Sequence, residues 1–369
     1  MKRGLYIHIP FCKQKCLYCD FASYPGQESL LDDYLAALSH EAALNKEIAC
    51  QTLYVGGGTP SLLAVHQLQR LAKIIRKNFQ PVPAFLESTF EANPESLTPQ
   101  KIAVLRQLGF NRLSMGLQSF HDDELKTLGR IHTAAQFLQV YAAAQAGGFE
   151  NINVDLIAGL PGQTLESFSS GLHRLVDLHP QHLSVYGLQI EEGTPFYTRG
   201  IVCDDALMRQ MLEHTHDFLT AAGYHHYEIS NYALPGYEAK HNTLYWQSAE
   251  YVGLGCAAAS YRGGVRRQNT PVLKDYIFDM LNGKSPLVFS EQLTGKARVG
   301  EGLLLALRLL DGLYLSDEQK EFFGPAIEKH VQNGLLTQDH KKVKLSKEGL
   351  YLANEVFRSF VAPFEDACM

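Results

Sequence analysis

Six short apolar runs recur along the first half of the chain, and their spacing restricts the fold more than any other feature. They read as strands at Leu5-Tyr6-Ile7-His8-Ile9, Thr52–Val55, Leu86–Glu91, Arg112–Gln118, Ile152–Ile157 and His182–Leu188. Between them lie amphipathic stretches. Leu31, Tyr34, Leu35, Leu38 and Ala42 share one helical face behind a candidate cap at Ser29. Val65, Leu68, Leu71, Ala72 and Ile75 share another, and Thr98-Pro99 opens a third helix with Ile102, Leu105 and Leu108 inward. Strands that each lead into a helix require a parallel sheet with right-handed crossovers. Units of roughly 25–45 residues suit a barrel or part of one.

The pleat separates full barrel from partial barrel. In Arg112–Gln118 the residues Leu113, Met115 and Leu117 face one way, while Ser114, Gly116 and Gln118 face the other. Ile152, Val154 and Leu156 alternate in the same manner with Asn153 and Asp155. A closed eight-stranded barrel fills its interior with branched apolar side chains. A lining that includes Gln118 and Asp155 points instead to an incomplete (β/α)6 barrel around a polar ligand, the alternative being polar residues bonded to nearby backbone. The fold class expected is α/β: this partial barrel over 1–235, a connecting segment over 236–290, and a small α+β, winged-helix-like domain over 291–369. Helices near Glu301–Leu310 and Ser316–Asn333, a strand at Lys342–Leu345 and a last helix from Ser346 make up that final part.

Three thiols follow the first strand closely, at Cys12, Cys16 and Cys19, after Pro10 has ended it. Three assignments compete. A disulfide strands one thiol and needs an oxidising compartment. Structural zinc needs a fourth ligand, for which His8 is nearest. An iron–sulfur cubane is satisfied by three cysteines and keeps one iron open. Cys50, Cys203, Cys256 and Cys368 are scattered and read as lone reduced thiols.

A net charge of −6 gives no broad nucleic-acid footprint. No run of about 20 apolar residues spans a membrane, and Met1-Lys2-Arg3-Gly4 leads straight into a strand, so a cytoplasmic protein is expected. Peripheral membrane contact and a homodimer are compatible with such a chain. Gly56-Gly57-Gly58-Thr59-Pro60, at the end of the second strand, lets main-chain groups reach a ligand or forms a tight turn. Neither a Walker loop nor a Rossmann fingerprint is present. Small residues from Tyr251 to Tyr261 likewise allow close backbone approach.

Taken in order, Tyr6-x-His8-Ile9-Pro10-Phe11-Cys12-x3-Cys16-x-Tyr18-Cys19 and Gly56–Pro60 resemble the radical S-adenosylmethionine (SAM) superfamily, in its oxygen-independent coproporphyrinogen oxidase branch. The likeness continues through Phe90–Pro94, Ser114–Phe120, Leu128–His132, Asn153–Gly162 and Glu192–Pro195. It implies that Cys12, Cys16 and Cys19 hold a [4Fe–4S] cluster whose open iron takes the amino and carboxylate groups of SAM. One electron from a reductant such as flavodoxin would then release a 5′-deoxyadenosyl radical. It also implies SAM contacts at Tyr6, Tyr18, Gly57, Gly58, Thr59, Glu91, Gln118, Arg130 and Asp155. Arg130 suits a carboxylate and Glu91 an ammonium.

Two departures single out a subgroup. Phe21 stands where the oxidases carry a further cysteine, and only five residues precede Tyr6. Both features, and His241-Asn242-x-x-Tyr245-Trp246, resemble the heme chaperones of this branch. That likeness implies heme as a third bound group, His241 as a candidate axial ligand, and heme-accepting proteins as partners. Ala259 occupies a position where many relatives have histidine. No catalytic residue is singled out. Oxidative decarboxylation of coproporphyrinogen III to protoporphyrinogen IX is the enzymatic alternative, and a zinc-stabilised interaction protein the remaining one.

Overall fold

A computed structural model describes residues 2–46 and 48–364 of the chain, so Cys368 lies outside the described residues. The six expected strands form at β1 (Arg3–Ile9), β2 (Thr52–Gly57), β3 (Glu87–Ala92), β4 (Arg112–Gln118), β5 (Ile152–Ala158) and β6 (His182–Gly187), each parallel to the next. Helices Leu31–Leu44, Val65–Asn78, Pro99–Leu108, Ala134–Ala146 and Leu165–Val176 join them. The pleat sorts side chains as the alternation requires. Leu113, Met115 and Leu117 are fully buried in the core under the helices. On the opposite face Ser114 accepts a hydrogen bond from Asn153 at 2.8 Å.

Local capping agrees in one place and differs in another. Thr98 Oγ1 accepts from the Lys101 amide, with Pro99 at the first helical position. Ser29 is not a cap. It lies inside a 3-10 turn, Glu28–Leu30, and the helix starts at Leu31 without a side-chain cap. Asp32 and Asp33 place negative charge in its first turn instead.

The sheet is wider than six strands. After a hairpin of β7 (His225–Glu228) and β8 (Asn231–Ala233) beside β6, the chain returns to the far edge. There β9 (Glu250–Leu254) runs parallel to β1, and β10 (Ala259–Arg262), β11 (Val265–Asn269) and β12 (Leu287–Gln292) follow antiparallel. The stretch read as a connector therefore extends the sheet. Its small residues serve that turn: a Cβ at Gly253 would sit 1.9 Å from the Ala259 carbonyl oxygen, so only glycine lets β9 and β10 approach.

A second core forms around Leu303, Phe323, Val356 and Phe360. It is built from helices Gly295–Leu307 and Asp317–Gln332 and the three strands β13 (Leu313–Tyr314), β14 (Leu336–Asp339) and β15 (Lys342–Leu345). Ser316 and Ser346 cap helices as expected, but the last helix is broken at Leu352 into Lys347–Tyr351 and Ala353–Arg358. This unit meets the barrel through a bidentate Arg209–Glu348 pair and the Arg308 guanidinium, 4.4 Å from the Trp246 ring centroid.

Candidate functional site

The three cysteines sit at the C-terminal mouth of the barrel, on a loop tied down at both ends. Phe11–Cys12 pairs with Tyr24–Pro25, and the Tyr24 amide donates to the Pro10 carbonyl at 2.8 Å. In between, the Leu17 amide donates to Leu128 O at 2.9 Å and the Gln14 side chain to Gly129 O. All three thiols are free. Burial pushes the Cys12 thiol up and the Cys19 thiol up to about 11.

The glycine tract packs directly against this loop. The Gly58 amide donates to Ile9 O at 2.9 Å and the Thr59 amide to Phe11 O at 2.7 Å, while the Thr59 hydroxyl lies 3.4 Å from Cys12 Sγ. A Cβ on Gly58 would stand 2.7 Å from Phe11 O and 3.0 Å from Cys12 Sγ. Gly57, at φ +114°, leaves space that the His8 ring borders.

Around these lie the strand-end residues named from sequence. Glu91 accepts from the Tyr54 hydroxyl at 2.6 Å and from the Gly57 amide at 3.0 Å. Burial, with a smaller push from Asp155, raises its pKa to about 7. Asp155 is also raised by burial, against a 2.7 Å bond from Asn153. Gln118 takes φ +73° at a bulge between β4 and β5, and its buried Oε1 has no partner. A strained non-glycine residue holding an unsatisfied acceptor at a strand end is the mark of a ligand position. Arg130 donates to Asn93 Oδ1 and to Gly116 O, both at 2.9 Å, and approaches Cys16 Sγ at 3.6 Å. Tyr18 packs beside Leu128, Leu160 and Phe196, and Tyr6 shares a 2.9 Å hydrogen bond with His8.

This donor set suits a cluster better than zinc. His8 is held by Tyr6 and, at 2.9 Å, by the Ala22 carbonyl, so it is not a fourth ligand in waiting. Among the described residues, no three His, Cys, Asp or Glu side chains converge on a single-ion position. Three free thiols on one loop, a glycine cradle that a Cβ would fill, and an orphaned amide oxygen fit a cubane with a polar ligand beside it.

His241 belongs elsewhere. It lies in the helix Lys240–Trp246, which plugs the opposite, N-terminal end of the barrel. Glu87 accepts from the amides of Lys240 and His241, both at 2.9 Å. One ring nitrogen meets Thr52 Oγ1 and the other the Tyr245 hydroxyl, each at 2.8 Å. Burial drives its pKa down to about 3. With both nitrogens hydrogen-bonded and 1% exposure, the ring presents neither to an iron in this arrangement, which speaks against the axial ligand expected there. Tyr54 and Asn93 were missed as site residues. Tyr54 stands opposite Tyr6 in the β1–β2 register, a pairing visible only once the strands are aligned.

Residues 6–174 match the radical SAM superfamily model. The chain is 35% identical to the heme chaperone HemW of Bacillus subtilis, over 97% of this chain and 99% of that one. It is likewise 35% identical to HemW of Lactococcus lactis over 96% of both chains, and 42% identical to that of Escherichia coli over 69% of both. The solved coproporphyrinogen III oxidase HemN of E. coli, described as a radical SAM enzyme, superposes with a TM-score of 0.85 at 27% identity, over 98% of this chain and 90% of that chain. The chain belongs to the HemW family of the radical SAM superfamily.

Proposed function

We propose that this protein holds a [4Fe–4S] cluster on Cys12, Cys16 and Cys19, binds SAM beside it, and carries heme to acceptor proteins. The carrying observation is the anchored cysteine loop facing Gln118, Glu91, Asp155 and Arg130 at the mouth of a partial barrel. When bound, the cluster and SAM together supply one-electron chemistry at a sulfonium. The chain's own residues orient and shield that pair. Gly57 and Gly58 admit main-chain contact, Glu91 and Arg130 offer opposite charges for the methionyl end, and Gln118 offers a free acceptor. Residues 1–235 do this work, while 236–290 and 291–369 complete a cleft beside it. As expected of such a protein, it works in the cytoplasm. Among the described residues no helix is long and apolar enough to cross a membrane.

Heme handling rests on the name carried by its full-length relatives and on Phe21. Anaerobic reconstitution followed by hemin titration tests it, with stoichiometric uptake expected. No uptake by the cluster-loaded protein overturns the reading. The HemN likeness favours a second reading, oxidative decarboxylation of coproporphyrinogen III. Formation of protoporphyrinogen IX in an anaerobic assay with a chemical or flavodoxin reductant would establish it.

A further inference from the structure

A cavity of about 1210 Å³ opens beside the cysteine loop, and none of the three cysteines that would hold the cluster lines it. One wall is aromatic: Tyr6, Phe21, Trp246 and Tyr251. Phe21 is 64% exposed at its lip, although its neighbours Cys19 and Ala22 are tied into the loop. Trp246 also lines the cleft, with the Arg308 guanidinium over its ring and a buried Nε1–H that has no acceptor. A wide aromatic wall with one loose aromatic at its edge suits a flat apolar plate.

The same cleft also carries charge, with Arg266 paired in register with Tyr261, itself the partner of Tyr251. Arg266 on β11 pairs with Glu301 on the helix Gly295–Leu307, and Arg298 on that helix pairs with Glu318 at 3.0 Å to both carboxylate oxygens. All four side chains line the cleft and stay partly exposed. Each guanidinium thus already holds one cavity-lining carboxylate, and Arg266 has Glu291 at 3.9 Å besides. An incoming carboxylate exchanges for it like for like at the guanidinium, and the displaced glutamate, partly exposed, is left to solvent.

We propose that this cleft is the heme site. The porphyrin ring lies on the Phe21–Trp246–Tyr251 wall, and the propionates displace Glu301 and Glu318 from Arg266 and Arg298. This rests on the heme-carrier reading and adds where the heme sits and what recognises it. Ala259 lines the same space with only a methyl group and leaves room for the plate.

The two members of one ion pair then act in opposite directions, which a purely structural strap cannot do. Hemin is titrated into the anaerobically reconstituted full chain, its Arg266→Gln and Glu301→Gln variants, and the Arg298→Gln and Glu318→Gln variants of the second pair. Arginine loss weakens hemin binding about three- to tenfold, and glutamate loss tightens it by a similar factor. With hemin dimethyl ester, which has no free carboxylates, the differences between variants disappear. Weakening in all four variants, or no change in any, overturns the site while leaving heme carriage intact. Failure of the parent to bind hemin overturns both.

Discussion

The Arg130 guanidinium approaches Cys16 Sγ at 3.6 Å through Nη1, while Nη2 is fixed by Asn93 Oδ1 and the Gly116 carbonyl. One arginine thus spans two strand ends and one thiol of the cysteine loop. A positive donor beside a cluster thiolate stabilises the reduced, more negative cluster. Arg130→Gln, loaded with iron and sulfide and measured without SAM, is expected to have a lower midpoint potential. A tenfold change in the reduction equilibrium is about 59 mV for one electron. An unchanged potential in a fully loaded variant would confine Arg130 to ligand binding.

Gly58→Ala tests the cradle. Its new methyl would press on Phe11 O, which cannot retreat because the Thr59 amide donates to it. The expected outcome is a loss of about 1–3 kcal/mol in stability and reduced iron uptake, because Cys12 is displaced. Normal iron content in the variant would show that the loop yields freely.

His241→Ala separates plug from ligand. Removing a buried ring that satisfies Thr52 and Tyr245 is expected to cost about 2–4 kcal/mol in denaturant unfolding. The spectrum of bound heme and its affinity should not change at a temperature where the variant is folded. A shifted heme spectrum with unchanged stability would return His241 to the iron.

Glu41 gives a pH dependence with a definite sign. It is buried, accepts from Tyr276, the Gly255 amide and Asn269, and burial raises its pKa to about 7. The folded chain therefore holds this proton more tightly than the unfolded chain does, whose glutamate titrates near the ordinary 4.5. Its contribution to stability is fullest below that ordinary value and is lost as pH rises through about 7. Relative to Glu41→Gln, the parent should lose stability between pH 5 and pH 8 in urea melts. Parallel pH profiles for parent and variant would remove Glu41 as the cause.

Much of the barrel was legible because its signals are local. The alternation Leu113-Ser114-Met115-Gly116-Leu117-Gln118 contains its own two-faced pattern, although both faces are buried, and the Cys12–Cys19 loop shows its three thiols close together along the chain. What escaped depends on partners distant in sequence. Nothing between Tyr251 and Tyr261 states that this segment will pair with β1, since Gly253 and Gly255 carry the low strand propensity of a loop. The same holds for His241, whose environment is set by Gly4, Thr52 and Glu87 at three separate strand starts. The Arg266–Glu301 contact likewise appears only when the second core is docked.

The placement of β9 against β1 bears on how this molecule is made. Arg3 and Glu250, joined by a hydrogen bond of 3.1 Å, are 247 positions apart. While the ribosome is still short of Glu250, the strand that leads into the cysteine loop has one bare edge, which invites pairing with the wrong neighbour. Closure across so long a separation is slow. Iron and sulfide are therefore best delivered after translation of the whole sheet, and a chain truncated before Glu250 should aggregate rather than persist as a small cluster-binding barrel.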